Sequence, residues 1–190
     1  SSRCLTGTDR VAEAAMKIKS DIYINVQGDE PLIDPGQLKI FSEKVRSTPS
    51  YGAWNAVCDL QLDSQMGDLD VVKCIINQSG EIIYIFRTSH LLNSSKHIDK
   101  YTKKIMGLFA FKKDTLAKFC GEKSSNLAID QNIEQLGILD RGHSLKSIHL
   151  SEHSYSINTR DEAEAVRQAI ASDTKQQNLI KTLFGEENAN

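Results

Sequence analysis

The stretch DIYINVQGDEPLIDPGQLKIFSEKV, residues 21–45, decides the fold. Its first part alternates Ile22, Ile24 and Val26 against Tyr23, Asn25 and Gln27, the period of two that marks a strand. The apolar run then stops at Gly28, Asp29, Glu30 and Pro31. Asp34 suits a helix N-cap and Pro35 the first helical position, with Leu38, Phe41 and Val45 on one helical face. Just upstream, TGTDRVAEAAMKIKS (residues 6–20) opens with Thr and Asp and spaces Val11, Ala14, Ala15 and Ile18 as an amphipathic helix does. Helix, strand, turn and helix in that order imply an α/β sheet with helices on its faces.

The middle of the chain is richer in strands. GAWNAVCDL (52–60) reads as extended, and DVVKCII (70–76) and EIIYIF (81–86) flank NQSG as a hairpin. KKIMGLFAF (103–111) and SLKSIHL (144–150) are further strands, and KDTLAKFC (113–120) a short helix. AIDQNIEQLGILDRG (128–142) puts Ile129, Ile133 and Leu136 at helical spacing and is expected as one helix. In NTRDEAEAVRQAI (158–170), Thr159 and Glu162 form a capping box ahead of an inner stripe of Ala163, Val166 and Ile170. The polar tail GEENAN is expected to fray.

Bulk properties narrow the function classes. The chain of 190 residues is sized for a single domain, 39% hydrophobic and 25% charged, with a net charge of −2. No basic block points to nucleic acid, no basic amphipathic stretch to a membrane surface, and no apolar run is long enough to cross a bilayer. Cys4, Cys58, Cys74 and Cys120 form no C-x-x-C pair, which argues against a zinc site or disulfide framework and for reduced thiols in a cytoplasmic protein.

Three short segments carry chemistry. Asp29 follows a strand, where open α/β sheets bind ligands, and a carboxylate there is placed to hold Mg²⁺; G-D-E-P is also an ordinary turn. The TGTDR loop entering a helix suits phosphate, with Arg10 adding a charge-assisted contact; on these residues alone a capped helix with a solvated arginine is the stronger reading. Asn158, Asp161 and Glu162 belong either to a polar site or to a plain helix cap. Lys73 and Arg87, inside apolar strands, either snorkel to solvent or face an anionic substrate. His143, His149 and His153 read as surface residues.

In order along the chain, GTDRVAEA, INVQGDEP, VVKCIINQSGEIIYIFR, GLFAF, IEQLGIL and INTRDEAEAVR resemble the 3-deoxy-manno-octulosonate (Kdo) cytidylyltransferases, from about Gly7 to Arg167. The resemblance implies a Rossmann-like, three-layer nucleotide-diphospho-sugar transferase fold with a mixed sheet. It implies attack of the sugar's anomeric hydroxyl on the α-phosphate of CTP, giving CMP-Kdo and pyrophosphate for lipopolysaccharide biosynthesis. It makes Asp29 a Mg²⁺ ligand with Asn158 at the second metal position, sets Gln27 toward the sugar, and puts Thr8 and Arg10 on the nucleotide side. Arg87, Glu134 and Gln135 carry over toward the sugar. The family is usually a homodimer built in part from the middle strands.

The pattern also has departures. The family opens with a strand and a Gly/Arg/Lys-rich phosphate loop, so the chain reads as N-terminally truncated, with that first strand and loop missing. Asn158 stands where the family has an aspartate, Ile105 where it has a histidine, Gln131 where it has an acid and Gly137 where it has an arginine. Three readings follow: a Kdo cytidylyltransferase, a cytidylyltransferase for another acidic sugar such as 8-amino-Kdo or a nonulosonic acid, and a non-catalytic homologue.

Overall fold

The computed structural model, which describes residues 4, 6–88, 97–121, 125–151, 157 and 159–185, places a mixed six-stranded sheet between two helical layers. In chain order the elements are α1 (Gly7–Ala15), β1 (Ile22–Val26), α2 (Pro35–Ser47), β2 (Ala53–Asp59), α3 (Leu62–Gln65), β3 (Lys73–Ile76) and β4 (Glu81–Phe86). They continue with α4 (Ile98–Tyr101), β5 (Thr102–Lys112), α5 (Lys113–Gly121), α6 (Asn126–Gln131), α7 (Leu136–Asp140), β6 (Leu145–His149), α8 (Arg160–Ser172) and α9 (Thr174–Phe184).

The strand order is β1-β5-β2-β6-β4-β3. Only the β2–β6 ladder is parallel; the other pairings are antiparallel. The eleven-residue β5 organises the sheet. Its C-terminal half pairs with β1, Val26 opposite Leu108, while its N-terminal end meets β3, Lys104 opposite Lys73. Beside it, β2 bulges between Asn55 and Val57. The fully buried Asn55 amide fills that irregularity, donating to the carbonyls of Ala56 at 2.8 Å and Met106 at 3.0 Å.

Each face of the sheet has its own core. On one, Val11, Ala12 and Ala15 of α1 pack with Phe109, Phe111, Leu116 and Phe119. On the other, Phe41 and Val45 of α2 pack against Trp54, Met106, Leu108 and Ile148. The caps form as the residues dictate: Asp34 accepts from Gly36 ahead of α2, and Thr159 with Glu162 closes a capping box ahead of α8. Thr6 and Asp9 form a second such box ahead of α1.

Two expectations change. Helix α1 stops at Ala15, so Ile18 lies beyond it, exposed, and the inward position on its first turn belongs to Thr8. The segment 128–142 is two helices, because Asn132 adopts a left-handed conformation (φ 50°) that ends α6. Its carbonyl is held by Arg87 Nη2 at 3.1 Å, and Ile129, read as inward, is 62% exposed. The tail 186–190 and His153 lie outside the described residues.

Candidate functional site

The turn after β1 is built on one close contact. Gln27 N–H donates to the Gly107 carbonyl at 2.9 Å, and the Gly107 N–H donates to Glu30 Oε1 at 2.8 Å. A side chain at position 107 would meet Glu30 Cγ at 2.7 Å and Gln27 Oε1 at 2.8 Å, so only glycine lets the turn sit on β5. Glu30 is therefore the inward member of the acidic pair, 9% exposed, with its second oxygen buried and unpartnered. Burial pushes its carboxyl up; the Gly107 N–H and the Lys104 ammonium pull it down, and the Asp29 carboxylate adds to the push. Asp29 is the outward member. Its carbonyl accepts from the Ile157 N–H at 2.9 Å, which brings the approach to α8 against the turn. Its carboxylate makes no hydrogen bond or ion pair with a described residue.

Two concavities meet at this turn. The larger, a cleft of about 760 Å³, is lined by Gln27, Asp29, Lys104, Ile105, Glu134 and Gln135, with Arg87, Asp68 and Asp70 on its wall. The smaller is a shallow groove along α1, lined by Gly7, Arg10, Asn25 and Gly28. Gln27 and Asp29 are the residues common to both. An anion in the groove and another in the cleft would each touch the same carboxylate position.

Of the residues picked out by sequence, Gln27, Asp29, Arg87, Glu134 and Gln135 converge on the cleft and Arg10 stands exposed in the groove. Thr8 departs from the expectation of a substrate contact. It is fully buried, its hydroxyl has no partner, and its backbone N–H donates to Glu134 Oε1 at 2.8 Å. Thr8 thus fixes the carboxylate of Glu134, two residues past the helix break, and does not face the cleft. Asn158 lies outside the described residues.

Lys73 takes neither expected course. It is 0% exposed, and its ammonium donates to the carbonyls of Asp68 and Arg87. Burial pulls its pKa down, Asp68 pushing back and Arg87 adding to the fall. Arg87 faces the cleft, but its guanidinium is committed to the carbonyls of Leu69 (2.8 Å), Asp70 (3.3 Å) and Asn132. Together these two cations bind the 68–70 loop to β4 and to the α6–α7 link, and so shape the wall.

Sequence reasoning missed Lys104, Asp68 and Asp70. The acids sit in a loop with no periodic signal, delivered to the cleft by Lys73 and Arg87. Lys104 had one available signal, its place next to Ile105. Of the altered positions, Ile105 lines the cleft, whereas Gly137 is covered: Arg141 Nη1 donates to its carbonyl at 2.7 Å, and Arg141 Cζ lies 4.7 Å from the Phe119 ring centroid. Gln131 opens onto a separate hollow between β4 and α6.

Among the described residues no three His, Cys, Asp or Glu side chains cluster as a metal cage. An unpaired carboxylate at the mouth of two concavities fits Mg²⁺, which one or two carboxylates hold together with substrate phosphates and water.

Comparison with known proteins agrees with this architecture. Residues 1–148 match the profile of the cytidylyltransferase family. The chain is 31% identical over 173 residues to a 3-deoxy-manno-octulosonate cytidylyltransferase of Chlorobium phaeobacteroides strain DSM 266, covering 89% of this chain and 68% of that protein. The counterpart in strain BS1 is 30% identical over 182 residues, covering 90% and 69%. The fold matches a solved structure of CMP:2-keto-3-deoxy-manno-octonic acid synthetase complexed with CTP, with a TM-score of 0.78 at 23% identity, over 89% of this chain and 69% of that one. The chain thus spans somewhat over two thirds of these relatives' length.

Proposed function

The chain belongs to the cytidylyltransferase family, in the group of the 3-deoxy-manno-octulosonate cytidylyltransferases, and on that premise we propose that the protein activates Kdo with CTP. The anomeric hydroxyl attacks the α-phosphate, and CMP-Kdo and pyrophosphate are released. The observation that carries this reading is the position of Asp29, unpaired and common to the Arg10 groove and the Lys104–Glu134–Gln135 cleft. A reaction between two polyanions needs a site of that form: two pockets, with charge control where they meet.

The residues divide the work. Arg10 meets the nucleotide's phosphates in the groove. Gln27, Glu134 and Gln135 offer acceptors and amide donors to the sugar's hydroxyls. Asp29 would hold Mg²⁺, with Asn158 as the second, amide ligand; a metal there would supply positive charge against the charge developing on the phosphates. Ile157, the neighbour of Asn158 in sequence, hydrogen-bonds the Asp29 turn, which favours this pairing. Asn158→Asp is then expected to lower the Mg²⁺ concentration for half-maximal rate, whereas an unchanged requirement would remove Asn158 from the metal site.

The assembly we propose is a homodimer through β4 and α6, where Ile83, Tyr84, Leu127 and Ile129 are exposed together with a stacked Tyr84–Phe86 pair. A cytoplasmic location fits the four free thiols, and no helix among the described residues is long and apolar enough to cross a membrane.

One observation favours a second substrate. Ile105 removes a polar group from the cleft, so a sugar acid altered at the corresponding position, an 8-amino or nonulosonic analogue, is the runner-up. The test is pyrophosphate release by the full-length protein with CTP, Mg²⁺ and a panel of acidic sugars. Release with Kdo is expected. Release with another sugar alone reassigns the substrate, and none from folded protein leaves a non-catalytic homologue.

A further inference from the structure

We propose that Lys104 is the residue that binds the carboxylate of the sugar acid, an inference resting on the function proposed above. Four cationic side chains lie at or behind the two concavities. Lys73 is buried on two backbone carbonyls, and Arg87 is spent on three. Arg10 stands in the groove, across the Asp29 turn. Lys104 alone among the described residues brings an uncommitted ammonium to the cleft: it makes no hydrogen bond or ion pair there and senses Glu30 only through space. The remaining charges of the cleft are acidic, from Asp29, Glu30, Asp68, Asp70, Glu134 and Glu162. A sugar carboxylate entering such a wall needs one cation to offset them, and Ile105 beside Lys104 supplies none.

The position also separates the two anions. Arg10 and Lys104 stand in different concavities, with the Asp29 turn common to both. With the triphosphate drawn toward Arg10, Lys104 takes the carboxylate and thereby orients the anomeric carbon, to which that carboxylate is attached, toward the turn. The backbone secures the position: Lys104 lies in the three-strand section of the sheet, opposite Cys58 of β2 and Lys73 of β3.

The test uses full-length protein, CTP, Kdo and the neutral carboxamide of Kdo, with calorimetric binding measured beside turnover. Replacing a charge-assisted contact by a neutral one costs about ten- to a hundredfold in affinity. Lys104→Gln is expected to raise the Kd and KM for Kdo by that factor, leave the KM for CTP unchanged, and bind the carboxamide as the wild type does. Lys104→Arg is expected to restore most of the loss. Equal weakening for acid and carboxamide, a rise confined to CTP, or no change would each overturn the assignment while Kdo turnover by the wild type upholds the function. Failure of the wild type to bind Kdo at all, with CTP present, would overturn both.

Discussion

A methyl group added at Gly107 would stand 2.7 Å from Glu30 Cγ and 2.8 Å from Gln27 Oε1, both on the turn that carries Asp29. That single contact links backbone packing to catalysis. Gly107→Ala is expected to cost about 1–3 kcal/mol through overpacking. It should also lower turnover at least tenfold, an estimate from the sensitivity of such sites to ångström displacements. Urea unfolding and steady-state kinetics read the two effects, and a variant that turns over normally would show that Glu30 does not position Asp29. Asp29→Ala separates chemistry from packing in the other direction. The carboxylate makes no hydrogen bond or ion pair with a described residue, so stability should stay within about 0.5 kcal/mol of wild type. CMP-sugar formation should fall below detection; near-normal activity would remove the metal role. The sequence pointed to Asp29 because a strand ending in an acid is a local pattern. It said nothing of Glu30 as an inward clamp, since the partner, Gly107, is 77 residues away.

At the scale of the element, the break between α6 and α7 shows where local patterns fail. Ile129, Ile133 and Leu136 satisfy a helical period, yet Asn132 turns left-handed and its carbonyl goes to Arg87. Asn and Gly tolerate that conformation, whereas a β-branched residue pays about 1–2 kcal/mol. Asn132→Val should therefore destabilise by that amount in urea unfolding and Asn132→Gly by much less; equal losses would mean that the backbone angle is not what matters. Strands and the Thr159–Glu162 capping box were legible for the converse reason, that their signals lie within a few residues. The clasp on the far side of the sheet was not: Asp59 at the end of β2 accepts from Lys103 Nζ of β5 at 2.9 Å and lies 3.1 Å from His149 Nε2 of β6. Hydrogen bonds from Lys103, then His149, hold its pKa below the usual 3.8. A carboxyl with a lowered folded pKa contributes its stability above the unfolded value and loses it as pH falls through the folded one. Asp59→Asn should accordingly lower the melting temperature near neutral pH, and the gap to wild type should close as pH drops below 3.8. A gap independent of pH would assign the loss to packing.

At the scale of the whole molecule, two cores fix one sheet, and that sheet holds two concavities with a shared acidic turn. The three-layer α/β architecture was legible from the order of elements, but the closing of β3 onto β5 was not, because a ladder between residues 73 and 104 leaves no trace in either strand. The same sheet turns an apolar surface outward. Ile83 is 58% exposed on β4, and it shares a hollow with Tyr84 and with Leu127 of α6. An exposed apolar hollow of this kind is a common mark of an interface, and in a two-fold dimer every residue is used twice. Ile83→Lys with Leu127→Lys would thus bury four charges, with no acid designed to meet them. The cost of unpaired buried charge is several kcal/mol, enough to weaken association by more than about a hundredfold. Light scattering should report a monomer at micromolar concentration while circular dichroism stays that of the wild type, since both side chains point away from the cores. A dimer that survives the double substitution would put the interface on another face, and a wild type that is already monomeric would end the proposal.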